Sequence, residues 1–182
     1  GPVEEEFAKA GYAVSSNASA HRRDPDVPVL IPEVNAEHLK LIPIQRTKRG
    51  WDGLIVTEAN CTTTGLIMPL KPIYDHFDRI VTPTLKVSAS CNRVFVLDGH
   101  TESVLVETRK KTEVEELKNV LREFRGEPQK LNLPTAPKNP IIVLNEANRP
   151  QPRFDRWAGE PQRARGMAVS VGRIREDTVF EK

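Results

Sequence analysis

Apolar positions along this chain follow two periods, and each change of period marks an element. Residues 4–10 are polar with Phe7 and Ala8 inside, which predicts a short helix ended by Gly11. Tyr12 to Ser16 predicts a short strand, and 17–26 a polar loop. Val27 to Ile31, interrupted by Pro28, runs into Pro32-Glu33-Val34-Asn35, where Asn35 is suited to cap a short helix through about Ile42. Pro43 breaks that run, and a polar helical turn from Gln45 to Arg49 follows. Gly53 to Thr57 predicts a strand. Thr62 to Phe77 predicts a helix, in which Pro69 and Pro72 predict a kink.

The second half is patterned less evenly. Val94-Phe95-Val96-Leu97 and Val104-Leu105-Val106 are β-rich runs around Asp98-Gly99-His100-Thr101. Thr112 with Glu115 has capping-box form and opens the clearest helix, Glu113 to about Phe124. That helix carries Val114, Leu117, Val120, Leu121 and Phe124 on one stripe. Residues 126–140 predict a Pro-rich linker, Ile141 to Leu144 a strand, 145–165 a long charged loop, and Met167 to Ile174 a strand. Interleaved helices and strands predict an α/β (α+β) chain with a mixed sheet and helices on one face.

With 182 residues the chain is long enough for one or two domains with a core. A net charge of +2 argues against a dedicated nucleic-acid binder, and no apolar run is long enough to span a membrane. Two cysteines, Cys61 and Cys91, make no disulfide framework, so free thiols in a cytoplasmic protein are expected. No metal-ligand spacing links the histidines. His21, His38 and His76 read as solvated, Cys91 as buried, and Trp51 and Trp157 as packing residues. No G-x-G-x-x-G phosphate-binding turn occurs.

Chemistry concentrates around Cys61. It sits between a predicted strand and a predicted helix, where backbone N–H groups and the helix dipole favour a thiolate. The alternative from position alone is a small buried apolar cysteine. Arg93 and His100 bracket one β-rich run. Their odd offset puts them on opposite faces unless Asp98-Gly99 turns or bulges. An arginine fork suits a carboxylate and an imidazole moves protons near neutral pH, so Cys, Arg and His together suit an anionic carbonyl or acyl substrate. Arg93 as a surface charge and His100 as a turn residue remain open beside that.

Several longer motifs resemble the aspartate-semialdehyde dehydrogenase family in its archaeal-type branch. They are Ser16-Asn17-Ala18-Ser19 with Arg22, Ile31-Pro32-Glu33-Val34-Asn35, Lys48-Arg49-Gly50-Trp51-Asp52-Gly53 and Asn60-Cys61-Thr62-Thr63. Further along come Ser88 to Val94, Leu97 to Glu102, Arg149 to Arg153, and Gly166-Met167-Ala168-Val169 with Val171 to Arg175. The resemblance is collinear over nearly the whole chain. It implies Cys61 as nucleophile, His100 as acid/base, Arg93 on the substrate α-carboxylate, Arg22 on phosphate, and Asn60 orienting substrate or oxyanion. Ser16, Asn17 and Ser19 are then candidates for contact with NADP. The implied reaction interconverts aspartyl phosphate and aspartate semialdehyde through a Cys61 thioester, in lysine, threonine and methionine biosynthesis.

The resemblance also implies a division into 1–59, the tail of a Rossmann-type NADP-binding domain, and 60–182, a shortened catalytic and dimerisation domain of the glyceraldehyde-3-phosphate dehydrogenase-like fold. Relative to the family the chain is expected to be truncated. It lacks the Gly-rich βαβ unit, a central segment of several dozen residues between Phe77 and Val87, and the last helix. Poor turnover by the chain alone, or none, is therefore expected, as is a homo-oligomer or pairing with a full-length subunit. Two other readings share these residues: a malonyl-CoA or related acyl-CoA reductase, and a catalytically inactive module that associates with a full-length subunit.

Overall fold

The computed structural model describes residues 1–77, 92, 95–108 and 112–178. They form two compact units, Gly1–Thr64 and Gly65–Lys182. Arg93, Cys91 and the Arg109-Lys110-Lys111 run lie outside the described residues.

The first unit runs α1 (Pro2–Lys9), β1 (Ala13–Ser16), β2 (Val29–Leu30), α2 (Pro32–Asn35), a 3-10 turn (Ala36–Lys40), α3 (Leu41–Arg49) and β3 (Leu54–Glu58). β3 is central and pairs in parallel with β1 and β2, Ala13 facing Leu54 and Val29 facing Thr57. Ala8, Val27, Trp51 and Ile55 form its core, with Val14 packed against them. Gly53 is required for the approach of α1. Its N–H donates to the Ala8 carbonyl at 3.1 Å, and a Cβ there would lie 2.3 Å from that oxygen.

A buried amide organises this unit. Gln45 is fully buried: its Nε2 donates to the carbonyls of Asp26 (3.0 Å) and Ile55 (2.9 Å), and its Oε1 accepts from Ile55 N–H at 2.8 Å. Both ends of the amide are thereby satisfied, which burial demands. Nearby, Arg49 forks onto Asp26, bonds Asp24 at 2.7 Å, and lies 5.3 Å from the Trp51 ring centre. Those bonds pull the Asp26 carboxyl down to about 2 and also lower Asp24, and they raise Arg49.

Three expectations fail here for local reasons, and a fourth holds in part. Phe7 is exposed and meets Tyr12 edge-on, leaving Ala8 as the inward residue. Asn35 stands at the N-cap position of the 3-10 turn Ala36–Lys40, as expected, but makes no side-chain capping bond. Its side chain turns back to Ile31 N–H (2.8 Å) and the Val29 carbonyl (2.9 Å), and the helix begins earlier at Pro32. Pro43 does not break α3, because it stands in the first turn, where no N–H has an intrahelical acceptor. His21 is buried and not solvated, its Nδ1 2.9 Å from Asp24 Oδ2.

From the first unit α4 (Cys61–His76) continues into the second as one helix through Pro69 and Pro72, without an interruption at either. The second unit adds α5 (Val114–Glu123), α6 (Glu127–Lys130), β4 (Ile141–Val143), α7 (Pro152–Asp155), a 3-10 turn (Gln162–Ala164) and β5 (Val169–Val171). β4 and β5 pair in parallel, Ile141 facing Val169, so the α/β class holds and the described pairings are parallel. α5 packs on β4 with Leu121 buried, as its stripe predicts. Its N-cap is Glu113, with no side-chain capping bond, in place of a Thr112 capping box.

The expected strands around His100 are absent from residues 95–108, where Phe95, Leu97 and Leu105 are exposed. β propensity needs a neighbouring strand to pair with, and none of the described strands lies alongside. The 126–140 linker is instead packed, with α6 inside it and Pro137 and Pro140 fully buried. The 145–165 loop holds α7 and a buried Asp155, on which Arg149 forks and to which Gln151 N–H donates at 2.6 Å. β5 is shorter than expected, and Trp157 is half-exposed where packing was expected.

Candidate functional site

Parallel pairing puts the carboxyl ends of β1, β2 and β3 on one edge, the edge where open α/β sheets place ligands. The residues leaving that edge are Asn17 to Arg22 after β1, and Ala59, Asn60 and Cys61 after β3. Arg22 joins the two exits. Its Nε donates to the Glu58 carbonyl at 2.9 Å and its Nη2 to the Asn17 carbonyl at 2.8 Å. The guanidinium is thereby held at the edge in one orientation, with Nη1 engaged by neither carbonyl.

Cys61 is the first residue of α4 and is exposed. Asn60 caps that helix: its Oδ1 accepts from Thr62 N–H at 3.1 Å and from the Thr62 hydroxyl at 2.5 Å. The Asn60 carbonyl accepts from the Thr64 N–H and hydroxyl, at 2.8 and 3.2 Å. The Cys61 thiol donates to Asn60 Oδ1 at 3.9 Å. Cys61 is thus placed by backbone position, and Asn60 reaches it through the same atom that fixes the helix start. The first-turn N–H groups are an anion-attracting feature beside an exposed sulfur.

The three candidates at the end of β1 and just beyond it are not alike. Ser16 is buried, donating to Glu4 and accepting from Ala18 N–H at 3.1 Å, so its hydroxyl shapes the loop. Asn17 and Ser19 are exposed on that loop. His100 belongs to the second unit and is exposed. Burial raises the Glu102 carboxyl two residues on, and the His100 charge opposes that shift. Glu102 lies against Gly65, its Oε1 3.2 Å from where a Cβ would stand.

Sequence reasoning overlooked Gln45, Glu102 and the Arg49–Asp24–Asp26 group. Two left a sign, Glu102 as part of the Leu97 to Glu102 motif and Arg49 as part of the Lys48 to Gly53 motif. Arg22, Asn17, Ser19, Asn60 and Cys61 share the sheet edge within the first unit, and Arg93 lies outside the described residues. Among the described residues no group of three His, Cys, Asp or Glu side chains could hold a metal, and no helix is long and apolar enough to cross a membrane.

Comparisons with known proteins converge. Residues 70–182 match the family model "Semialdehyde dehydrogenase, dimerisation domain", and residues 1–42 match "Semialdehyde dehydrogenase, NAD binding domain". An aspartate-semialdehyde dehydrogenase of Methanothermobacter thermautotrophicus is 41% identical over 98% of this chain and 65% of its own length. A malonyl CoA reductase (NADP) of Metallosphaera sedula is 36% identical over 97% of this chain and 64% of its own. The crystal structure of the Candida albicans aspartate semialdehyde dehydrogenase with NADP superposes with a TM-score of 0.79 at 34% identity. It covers 98% of this chain and 66% of that one. The chain therefore spans about two thirds of the length of these relatives. The first alignment extends over 233 positions against 182 residues here, so that relative carries internal residues without a counterpart.

Proposed function

The chain belongs to the semialdehyde dehydrogenase family, and from that premise we propose that it carries the thiol half of an NADP-dependent interconversion of aspartyl phosphate and aspartate semialdehyde. The observation that carries this reading is Cys61, exposed at the first position of α4 and held by Asn60. In the oxidative direction the Cys61 sulfur adds to the aldehyde carbon, and the new alkoxide takes a proton to give a thiohemiacetal. The thiohemiacetal carbon then gives up a hydride, which NADP would accept when bound, as its hydroxyl proton passes to His100, and a Cys61 thioester is left. Phosphate then displaces the sulfur and releases the acyl phosphate.

Each remaining residue has one task in this proposal. His100 gives and takes the proton at the substrate oxygen. Asn60 presents its amide N–H groups to that oxygen. Arg22, anchored on two carbonyls, offers its remaining donors to phosphate, and Arg93 takes the α-carboxylate. Exposed Asn17 and Ser19 at the sheet edge fit the role of NADP contacts, and Ser16, already committed, does so through the loop shape. NADP supplies the hydride acceptor when bound. Residues 1–59 serve as the end of its domain and 60–182 as the catalytic and dimerisation domain, which predicts a homo-oligomer or pairing with a full-length subunit.

The Metallosphaera relative favours a second reading, an acyl-CoA reductase using the same sulfur. One experiment separates them. The purified chain is incubated with aspartyl phosphate or with malonyl-CoA and analysed by intact mass and peptide mapping. Acylation of Cys61 by aspartyl phosphate alone, abolished in Cys61→Ser, is expected. Acylation by malonyl-CoA alone would select the second reading. Acylation by neither, with Cys61 open to iodoacetamide, would support the inactive module.

A further inference from the structure

The segment joining α7 to β5 lies between two family-like motifs, Arg149 to Arg153 and Gly166 to Val169, and the proposed chemistry does not use it. It is rigidly built. Ala164 is fully buried, and Gly159 (φ +126°) passes so close that a Cβ would lie 2.3 Å from the Ala164 carbonyl oxygen. Gly166 N–H donates to the Ala158 carbonyl at 2.9 Å. Lys138 N–H donates to the Glu160 carbonyl at 2.8 Å, tying the loop to the buried Pro137 and Pro140.

On this frame stands Trp157, 50% exposed, with the guanidinium carbons of Arg165 and Arg156 at 5.1 and 5.8 Å from its ring centre. Beside it opens a cleft of about 500 Å³ lined by Lys138, Trp157, Glu160, Gln162 and Arg165. The cations nearby divide in two. Arg149 is forked on Asp155, and Arg156 Nε lies 3.0 Å from Asp98 Oδ1 in an ion pair without hydrogen-bond geometry. Arg165 and Lys138, the two that face the cleft, have no carboxylate within ion-pair distance among the described residues.

A planar guanidinium stacks on rings and forks onto phosphate, an ammonium adds a point charge, and an indole stacks on bases. A frame already fixed loses little entropy on binding. We propose that this cleft binds a nucleoside phosphate, its base stacked on the Trp157–Arg165 pair and its phosphates on Arg165 and Lys138. This site is independent of the Cys61 chemistry.

The test follows ADP and inorganic pyrophosphate binding to the full chain by tryptophan fluorescence and calorimetry. Saturable ADP binding is expected, about tenfold tighter than pyrophosphate because of stacking, and weakening with salt. Arg165→Ala and Lys138→Ala should each weaken ADP about tenfold. These side chains are at the surface, and circular dichroism checks that each variant folds. Absence of saturable binding, or ADP binding indifferent to Arg165→Ala, overturns the site. Equal affinity for pyrophosphate and ADP overturns the nucleotide assignment.

Discussion

The first unit and the segment 95–108 are built from similar residues and end in opposite states. β3 reads Leu-Ile-Val-Thr-Glu and lies between two strands with Ile55 and Thr57 fully buried. Phe95, Val96 and Leu97 have comparable strand preference, yet all three are exposed and no strand forms in 95–108. The difference lies in what surrounds each run. β3 is met by β1, β2, α1 and the Gln45 amide, and every one of those contacts comes from within the first 64 residues. Strand preference is a preference for a pleated, half-buried surface, and it has no effect where no such surface is supplied.

The sharpest way to test that contrast is truncation at matched positions. Ile55→Ala should lower stability in urea by about 2–5 kcal/mol, whereas Leu97→Ala should stay within about 0.5 kcal/mol. Equal losses would mean that the exposed run is covered in solution. Next in size comes Gln45→Leu, which fills the space but leaves the Asp26 carbonyl and both Ile55 backbone groups short of partners. A loss of about 1–3 kcal/mol is expected, with faster amide exchange at Ile55. Unchanged exchange there would show that the amide is not the organiser of the sheet.

An acid titration sharpens the comparison electrostatically. Arg49 holds Asp26 at about 2, below the ordinary 3.8. A carboxyl depressed by folding stabilises fully above its unfolded value, and that stabilisation is lost as pH falls from near 4 towards 2. Asp24, also lowered, acts with the same sign. Asp26→Asn should therefore flatten the acid limb of stability against pH, and an identical limb would assign it to other carboxylates. The smallest effect belongs to the helix cap. Asn60→Ala should cost about 1 kcal/mol and Asn60→Asp much less, with Cys61 alkylation by iodoacetamide altered in the first variant. An unchanged alkylation rate would separate the cap from the thiol.

Legibility from sequence follows the same divide. α1, β1, β3, α4 and α5 announced themselves because their partners are local or their apolar stripes long. The Arg22, Asn60 and Cys61 positions were legible through motifs, and their sharing of one sheet edge follows from parallel pairing. The strands expected around His100 misled, since a run of strand-forming residues cannot reveal whether a partner strand is present. Pro43 misled because its cost depends on its place in the helix. Asn35 does precede a helical turn, but its side chain found closer backbone partners upstream. The packed segment 126–165 was hidden behind prolines and charges that read as loop, though Asp155 and Pro137 are interior.

Asn60 has a consequence beyond capping. The Thr62 N–H fixes which end of the Asn60 amide is oxygen, since a half-turn would set donor against donor. The NH₂ end is left with a single heading, like a compass needle pinned at one pole. Whatever binds beside Cys61 meets a surface whose polarity was set when α4 formed, before any ligand arrived.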